Sequence, residues 1–222
     1  LLPIGVFSIA ISAAVFPALS RYAAEGLQVK LRDALEQAIR WILFLTLPAA
    51  VVMIVLRRPI VHLLFQWKDF GPDLREATAA AFLLYAIGLV GHALVQIVAR
   101  GFYATKDTRT PFVLTLGSIA INVALSIAFA PMWGINGLAL ANSLATLAEA
   151  ALLLALLASR ARLRMRGLGA ASLRLAAASV AMGAAMFLFI RLTNVTVDLG
   201  ETKLGLLLQT LLAGAVGGLA FL

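Results

Sequence analysis

The sequence predicts an all-α integral membrane protein, a bundle of about seven transmembrane helices, on three observations. Of its 222 residues 63% are hydrophobic and 13% charged, whereas ordinary globular domains carry about 25% charged residues. Apolar runs close to the roughly 20 residues that a spanning helix needs recur along the whole chain. Between them the basic residues gather in alternate connections, the pattern that orients a polytopic protein in a bilayer.

Residues 2–19 form the first span, bounded by Pro3 and Pro17, which sit near its ends, where proline costs a helix least. Residues 21–40 read as a surface helix lying along the interface. Leu27, Leu31, Leu35 and Ala38 recur at helical spacing, and Lys30, Arg32, Asp33 and Glu36 occupy the other faces. Residues 38–56 are the second span, with Trp41 at the level of an aromatic belt and a kink expected at Pro48. Arg57, Arg58 and Pro59 stop it. Residues 60–65 are too short to cross and are expected to dip into the interface, anchored by Trp67 and Phe70.

The third span, residues 77–99, carries His92 and Gln96 four residues apart as an inward-facing polar pair, with Gly88 and Gly91 allowing close helix approach. Residues 112–130 are the fourth span, with Asn122 and Ser126 at the same spacing. The turn over residues 131–137 is short enough to make it a hairpin with the fifth span, residues 135–158. That span holds Asn142, Ser143, Thr146 and Glu149, the last being an acid well inside an apolar run and hence a functional candidate. Arg160, Arg162, Arg164, Arg166 and Arg174 follow in one short loop. Residues 175–190 and 204–222 complete the seven spans, the last with Gly214 and Gly218 as a packing motif.

Placing the basic connections 21–40, 100–111 and 160–174 on one side collects twelve of the eighteen Lys and Arg residues, so that side is cytoplasmic and residue 1 starts outside. The net charge of +8 is explained by this bias and by anionic headgroups rather than by nucleic acid. With no cysteine and two histidines, neither a disulfide nor a metal cluster is expected, and no cofactor is called for. No nucleophile stands beside a base, so an enzyme is not expected either. The start, Leu-Leu-Pro, has no basic n-region of a signal peptide and reads as a point inside a longer chain.

Residues 100–111, Arg-Gly-Phe-Tyr-Ala-Thr-Lys-Asp-Thr-Arg-Thr-Pro, join the third and fourth spans as a cytoplasmic hinge. Asp107 and Thr108 can bond nearby backbone groups, Thr110 is placed to cap the next helix, and Pro111 suits its first turn. Arg100, Lys106 and Arg109 lie at headgroup level. This stretch, including Gly101, Phe102 and Tyr103, resembles the signature loop of the MurJ/MviN family, the bacterial lipid II flippases of the multidrug/oligosaccharidyl-lipid/polysaccharide exporter superfamily. Residues 2–11, Leu-Pro-Ile-Gly-Val-Phe-Ser-Ile-Ala-Ile, with Phe16-Pro17-Ala18-Leu19-Ser20-Arg21, resemble the family's eighth helix, and residues 64–70 are also similar.

The resemblance implies the C-terminal half of a fourteen-helix transporter. Residues 1–158 are then a five-span bundle lacking its first helix, and residues 159–222 two additional transmembrane helices lining a groove for a lipid tail. It further implies a multi-pass protein of the bacterial cytoplasmic membrane that moves lipid II, or a similar undecaprenyl-linked substrate, to the outer leaflet for peptidoglycan synthesis. Alternating access against the N-terminal half of the same transporter is the implied mechanism. A polysaccharide-lipid or drug exporter of the same superfamily is the alternative. Some members bind sodium through an Asn and an Asp on one helix and a carbonyl and a Thr on the next. Asn122 falls on the Asn, Leu138 on the carbonyl and Asn142 near the Thr, but Ser126 replaces the Asp. That loss removes the countercharge a hard cation wants and leaves sodium, protons through Glu149, or membrane potential as the energy source. For each of these polar residues, and for His92 with Gln96, helix-to-helix hydrogen bonding is the competing role.

Overall fold

The computed structural model describes residues 8–64, 71–196 and 203–221. Among them the chain forms eight α-helices and no strand: α1 (Ala10–Ala24), α2 (Gln28–Val55), α3 (Arg57–Leu64), α4 (Pro72–Ala104), α5 (Arg109–Trp133), α6 (Ile135–Ala161), α7 (Met165–Thr196) and α8 (Lys203–Phe221). Five of them, α2, α4, α5, α6 and α7, are long and apolar enough to cross a membrane. The described part of α1 has 15 residues, and α8 carries a shorter apolar stretch, Leu208–Gly218. Pro3, Trp67 and Phe70 lie outside the described residues.

The expected surface helix over residues 21–40 does not exist as a separate element. α1 continues through Pro17 to Ala24, a tight turn follows, and α2 runs unbroken from Gln28 through Pro48 to Val55. The helical stripe at Leu31, Leu35 and Ala38 is present, but it faces protein rather than lipid, since each is only 1% exposed. Glu36, expected on a solvent face, is buried and accepts the backbone N–H of Arg164 at 2.6 Å. An acid from α2 thus caps the start of α7, where helix N–H groups lack partners. The basic loop is also shorter than expected. Arg160 belongs to the last turn of α6, Arg166 and Arg174 lie on α7, and only residues 162–164 connect the two.

α4 is the central helix, packed on α1, α2, α3 and α6. Its contact with α6 is set by missing side chains. A Cβ on Gly88 would lie 2.5 Å from Ser143 Oγ, and one on Gly91 3.2 Å from the Leu147 backbone nitrogen. Small residues let helix backbones approach in this way inside a membrane, where no hydrophobic force between helices drives association. Ser143 Oγ also donates to the Leu84 carbonyl at 2.6 Å. Residue numbers on the two helices rise together along the seam, so α4 and α6 are parallel. α5 pairs with α6 in the opposite sense, because its polar contacts run from Asn122–Asn142 through Ser118–Ala145 to Thr115–Glu149. Gly134, at φ +54°, is the whole connection of that hairpin.

The main core joins Leu19, Leu35, Ile39, Ile97, Phe102 and Leu153 from α1, α2, α4 and α6. α7 and α8 pack on each other and lean on α2, and Met182, Met186 and Ala213 meet Leu56 there. The expected Gly214 and Gly218 motif is displaced by one residue. A Cβ on either glycine would meet nothing within 4 Å outside its own helix backbone, whereas one on Gly217 would meet Met186 Sδ at 2.5 Å.

The parallel α4–α6 pair places Asp73 and Ser159, both exposed, at opposite ends of the bundle. Single cysteines at these positions in the full-length protein should label from opposite sides, Asp73→Cys from outside and Ser159→Cys only after permeabilisation. Labelling of both from outside would contradict the orientation.

Candidate functional site

Three polar stripes converge on one cavity of about 510 Å³. α4 contributes His92, Gln96, Arg100 and Tyr103, at spacings of four, four and three that hold them to one face. α5 contributes Thr115, Ser118 and Asn122, and α6 contributes Asn142, Thr146 and Glu149. Along their central stretches most other side chains of these helices are apolar, as the high cost of polar groups in lipid requires.

At the end of the cavity away from Arg100, Tyr103 and Pro111 runs a hydrogen-bond chain joining all three helices. Ser126 Oγ donates to Asn122 Oδ1 at 3.1 Å, Asn122 Nδ2 to Asn142 Oδ1 at 3.4 Å, and Asn142 Nδ2 lies 3.3 Å from His92 Nε2. That ring nitrogen accepts when it carries no proton. Thr146 Oγ1 donates to the Asn142 carbonyl at 2.9 Å. Two turns along α6, Glu149 is buried and its Oε1 accepts from Thr115 Oγ1 at 2.6 Å. It is the cavity's one carboxylate among the described residues.

The sequence-predicted residues are thus partly united. Asn122, Ser126 and Asn142 do meet, and Glu149 shares their cavity. Leu138 is 43% exposed and does not line it. His92 reaches across to Asn142 instead of pairing with Gln96. No group of three or more His, Asp or Glu side chains stands close enough to hold a metal among the described residues. A cation at the Asn122–Asn142 contact would find amide and hydroxyl oxygens without a carboxylate, poor compensation for dehydrating a hard ion. Thr115 was missed. Its signal was present, because Thr115, Ser118, Asn122 and Ser126 recur at three and four residues along α5.

Arg100, Tyr103 and Pro111 line the end of the cavity nearest the signature turn. The expected twelve-residue hinge is much shorter. Arg100, Gly101, Phe102 and Tyr103 form the last turn of α4, Pro111 lies in the first turn of α5, and only residues 105–108 connect the helices. Lys106 takes a left-handed φ of +61°, and the N–H groups of Lys106 and Asp107 return to the Tyr103 and Phe102 carbonyls at 3.0 Å each, closing α4. Asp107 then opens α5: its Oδ1 accepts the Thr110 N–H at 3.0 Å and its Oδ2 the Thr110 hydroxyl at 2.6 Å. The cap is therefore Asp107, not Thr110 or Thr108, because a carboxylate one turn back reaches the orphan N–H that Thr110 itself presents.

Arg160 at the end of α6 pairs with Asp107 and lies 5.4 Å over the buried Phe102 ring. The turn is thereby fastened to the third helix of the cavity. These bonds from Thr110 and then Arg160 hold the Asp107 carboxyl below its ordinary value of 3.8, at about 2. Arg100 stands 5.4 Å over the Phe16 ring of α1.

Comparison with known proteins decides the family. The family model described as Lipid II flippase MurJ matches residues 1–208. The chain belongs to that family. Among curated relatives, the probable lipid II flippases MurJ of Rhizobium meliloti (strain 1021) and Bdellovibrio bacteriovorus are each 35% identical, over 72% and 70% of this chain and 30% of their own lengths. That of Vibrio cholerae is 33% identical over 68% of the chain and 29% of its own length. A solved lipid II flippase MurJ in its inward closed conformation superposes with a TM-score of 0.73 at 26% identity, covering 99% of this chain and 43% of that one. The chain therefore spans less than half of the MurJ proteins it matches, and within the family's all-helical membrane fold it is a partial lobe.

Removing the cap tests the turn. Asp107→Ala in the full-length protein should cost about 1–2 kcal/mol of stability, mostly from the lost cap. Because the folded carboxyl is held below its unfolded value of 3.8, this contribution is complete at neutral pH and fades as pH falls from about 4 towards 2. Thermal melts of wild type and variant should differ at pH 7 and converge on acidification. Equal melts at pH 7 would show the turn to be a passive connector.

Proposed function

We propose that this chain is the C-terminal lobe of a flippase that carries lipid II from the cytoplasmic to the outer leaflet of the bacterial cytoplasmic membrane, a transporter rather than an enzyme. The observation that carries this is the family match over residues 1–208. It is supported by a cavity whose lining comes from three helices, as transporter sites near the bilayer midplane commonly do. The N-terminal half of the same transporter supplies the opposing bundle, and membrane lipids surround both. The polysaccharide-lipid or drug exporter alternative has no specific observation in its favour.

In this scheme the α4–α6 seam moves as a unit, because the Gly88 and Gly91 contacts leave no room for sliding. The cavity opens and closes by tilting this lobe against the other, with the capped turn transmitting the tilt between α4, α5 and α6. Energy enters at Glu149. It is a buried carboxylate with one hydroxyl donor, able to hold a proton or to supply a countercharge to a cation, whereas the Asn122–Asn142 group is neutral. A carboxylate in the bilayer costs at least roughly 2.5 kcal/mol unless it is neutralised or wet, so the transport cycle must supply it with a compensating partner.

The test is transport by full-length variants across a sodium and pH series. Glu149→Gln should lower flipping at least tenfold and flatten its pH dependence, while Asn122→Ala should cost less. Wild-type activity of Glu149→Gln throughout the series would return Glu149 to a packing role, and failure of the wild-type protein to support growth of a flippase-depleted strain would reject lipid II transport itself.

A further inference from the structure

Away from the polar cavity, the opposite end of the bundle holds a larger one, about 790 Å³, between α2, α3, α4, α7 and α8. It lies within the 300–1,000 Å³ range of small-molecule sites. Arg57, Arg58, Arg75 and Arg191 all line it, with Glu76 as the one acid among the described residues. These residues are scattered over more than a hundred positions, and folding brings them together. They are also four of the six basic residues left on the side where the positive-inside bias disfavours them. Charges that run against that bias and then converge invite a ligand of opposite charge.

Apart from His62 and Gln209, the remaining lining is apolar. Ile54, Val55, Val61, Phe187 and Ile190 line the cavity together with the arginines. Phe187 is 55% exposed, and Arg191 lies 5.5 Å over its ring, so cation and apolar surface adjoin. Arg58 bonds Glu76 at 2.7 Å with both side chains more than half exposed, and Arg57 gives one nitrogen to the Ile54 carbonyl at 2.9 Å. Each guanidinium carries five N–H donors, so those bonds leave most of the donors of Arg57 and Arg58 for another acceptor. A planar guanidinium matches phosphate oxygens two at a time. The site is amphiphilic: net positive charge for an anionic headgroup beside apolar lining for a chain.

We propose that this cavity binds an anionic membrane phospholipid, its phosphate among Arg57, Arg58 and Arg191 and an acyl chain along Ile54, Val61 and Phe187. Such a lipid would sit between the α7–α8 pair and the rest of the bundle, filling a cavity those helices leave open. Charge complementarity selects a net-negative headgroup over a zwitterionic one, and the apolar lining selects a lipid over free phosphate. The inference does not rest on the transport reading.

The test uses full-length protein in neutral detergent, with thermal stability followed while phosphatidylglycerol, phosphatidylcholine or inorganic phosphate is added. Phosphatidylglycerol should raise the melting temperature saturably, and the other two should not. Each Arg→Gln change should weaken binding about fivefold, so the pair Arg58→Gln and Arg191→Gln should raise the half-saturating concentration about 25-fold. Arg174→Gln, near the other end of α7, should leave it unchanged. If the Gln pair fails to fold, the pair Arg58→Lys and Arg191→Lys keeps the charges, and its midpoint should rise with salt. Equal stabilisation by both lipids, saturation by inorganic phosphate alone, a midpoint unmoved by the Gln pair, or a Lys-pair midpoint indifferent to salt would each overturn the proposal. So would displacement of phosphatidylglycerol by purified lipid II in simple competition, which would place the cavity on the transport path.

Discussion

The close approach of α4 and α6 is the contact on which the rest depends. Gly88 and Gly91 remove the side chains that would hold the two backbones apart, and Ser143 fills the gap with a hydrogen bond to the Leu84 carbonyl. In lipid, dispersion and such bonds must do what hydrophobic burial does in water, and both need short distances. Once α4 and α6 lie in register, His92 faces Asn142 and Thr146, and the end of α4 lies against Leu157, close enough for Arg160 to reach Asp107. Cavity and turn are consequences of one seam.

The second constraint is the cost of polarity in a bilayer. α5 illustrates it: most of its surface is exposed and apolar, and the stripe Thr115, Ser118 and Asn122 is turned to α6 and the cavity. The neutral amide chain through Asn122 and Asn142 satisfies itself internally. Glu149 does not fit that pattern, since its bond from Thr115 leaves carboxylate lone pairs to be met by a proton, water or a cation. The cavity thus holds two unlike polar groups, an amide chain bonded across three helices and a carboxylate with one hydroxyl donor.

Helix existence, order and most polar faces were legible in the sequence, because a span must be apolar over about 20 residues and its polar residues must share a face. The Gly88 and Gly91 approach was legible for the same reason. Boundaries were not. Residues 21–40 carry a helical stripe that suits an interfacial helix and the buried end of a long span equally well, and only contacts with α1 and α4 decide between them. Glu36 could not be recognised as the cap of α7, since its partner lies 128 positions away. The signature turn looked like a long hinge because its charged residues are polar wherever they stand; helix geometry continues through Arg100–Tyr103 once Gly101 packs on Leu157 and Leu35. The gathering of Arg57, Arg58, Arg75 and Arg191 is likewise a property of the fold and not of any local motif.

The claim that this lobe moves as a rigid body about an immobile α4–α6 seam can be tested by locking the seam. Cysteines at Gly88 and Ser143 fall where the Cβ atoms would be 3.1 Å apart, slightly closer than the usual ~3.5–4.5 Å of a disulfide, so a small separation of the backbones brings them into bonding range, and this chain has no cysteine of its own. In a cysteine-free full-length protein, oxidising the pair Gly88→Cys and Ser143→Cys should leave lipid II flipping within about twofold of the reduced state, since the seam keeps its register in either orientation of the cavity. Loss of flipping on oxidation, restored by reductant, would show that α4 and α6 move against each other and would contradict the rigid lobe.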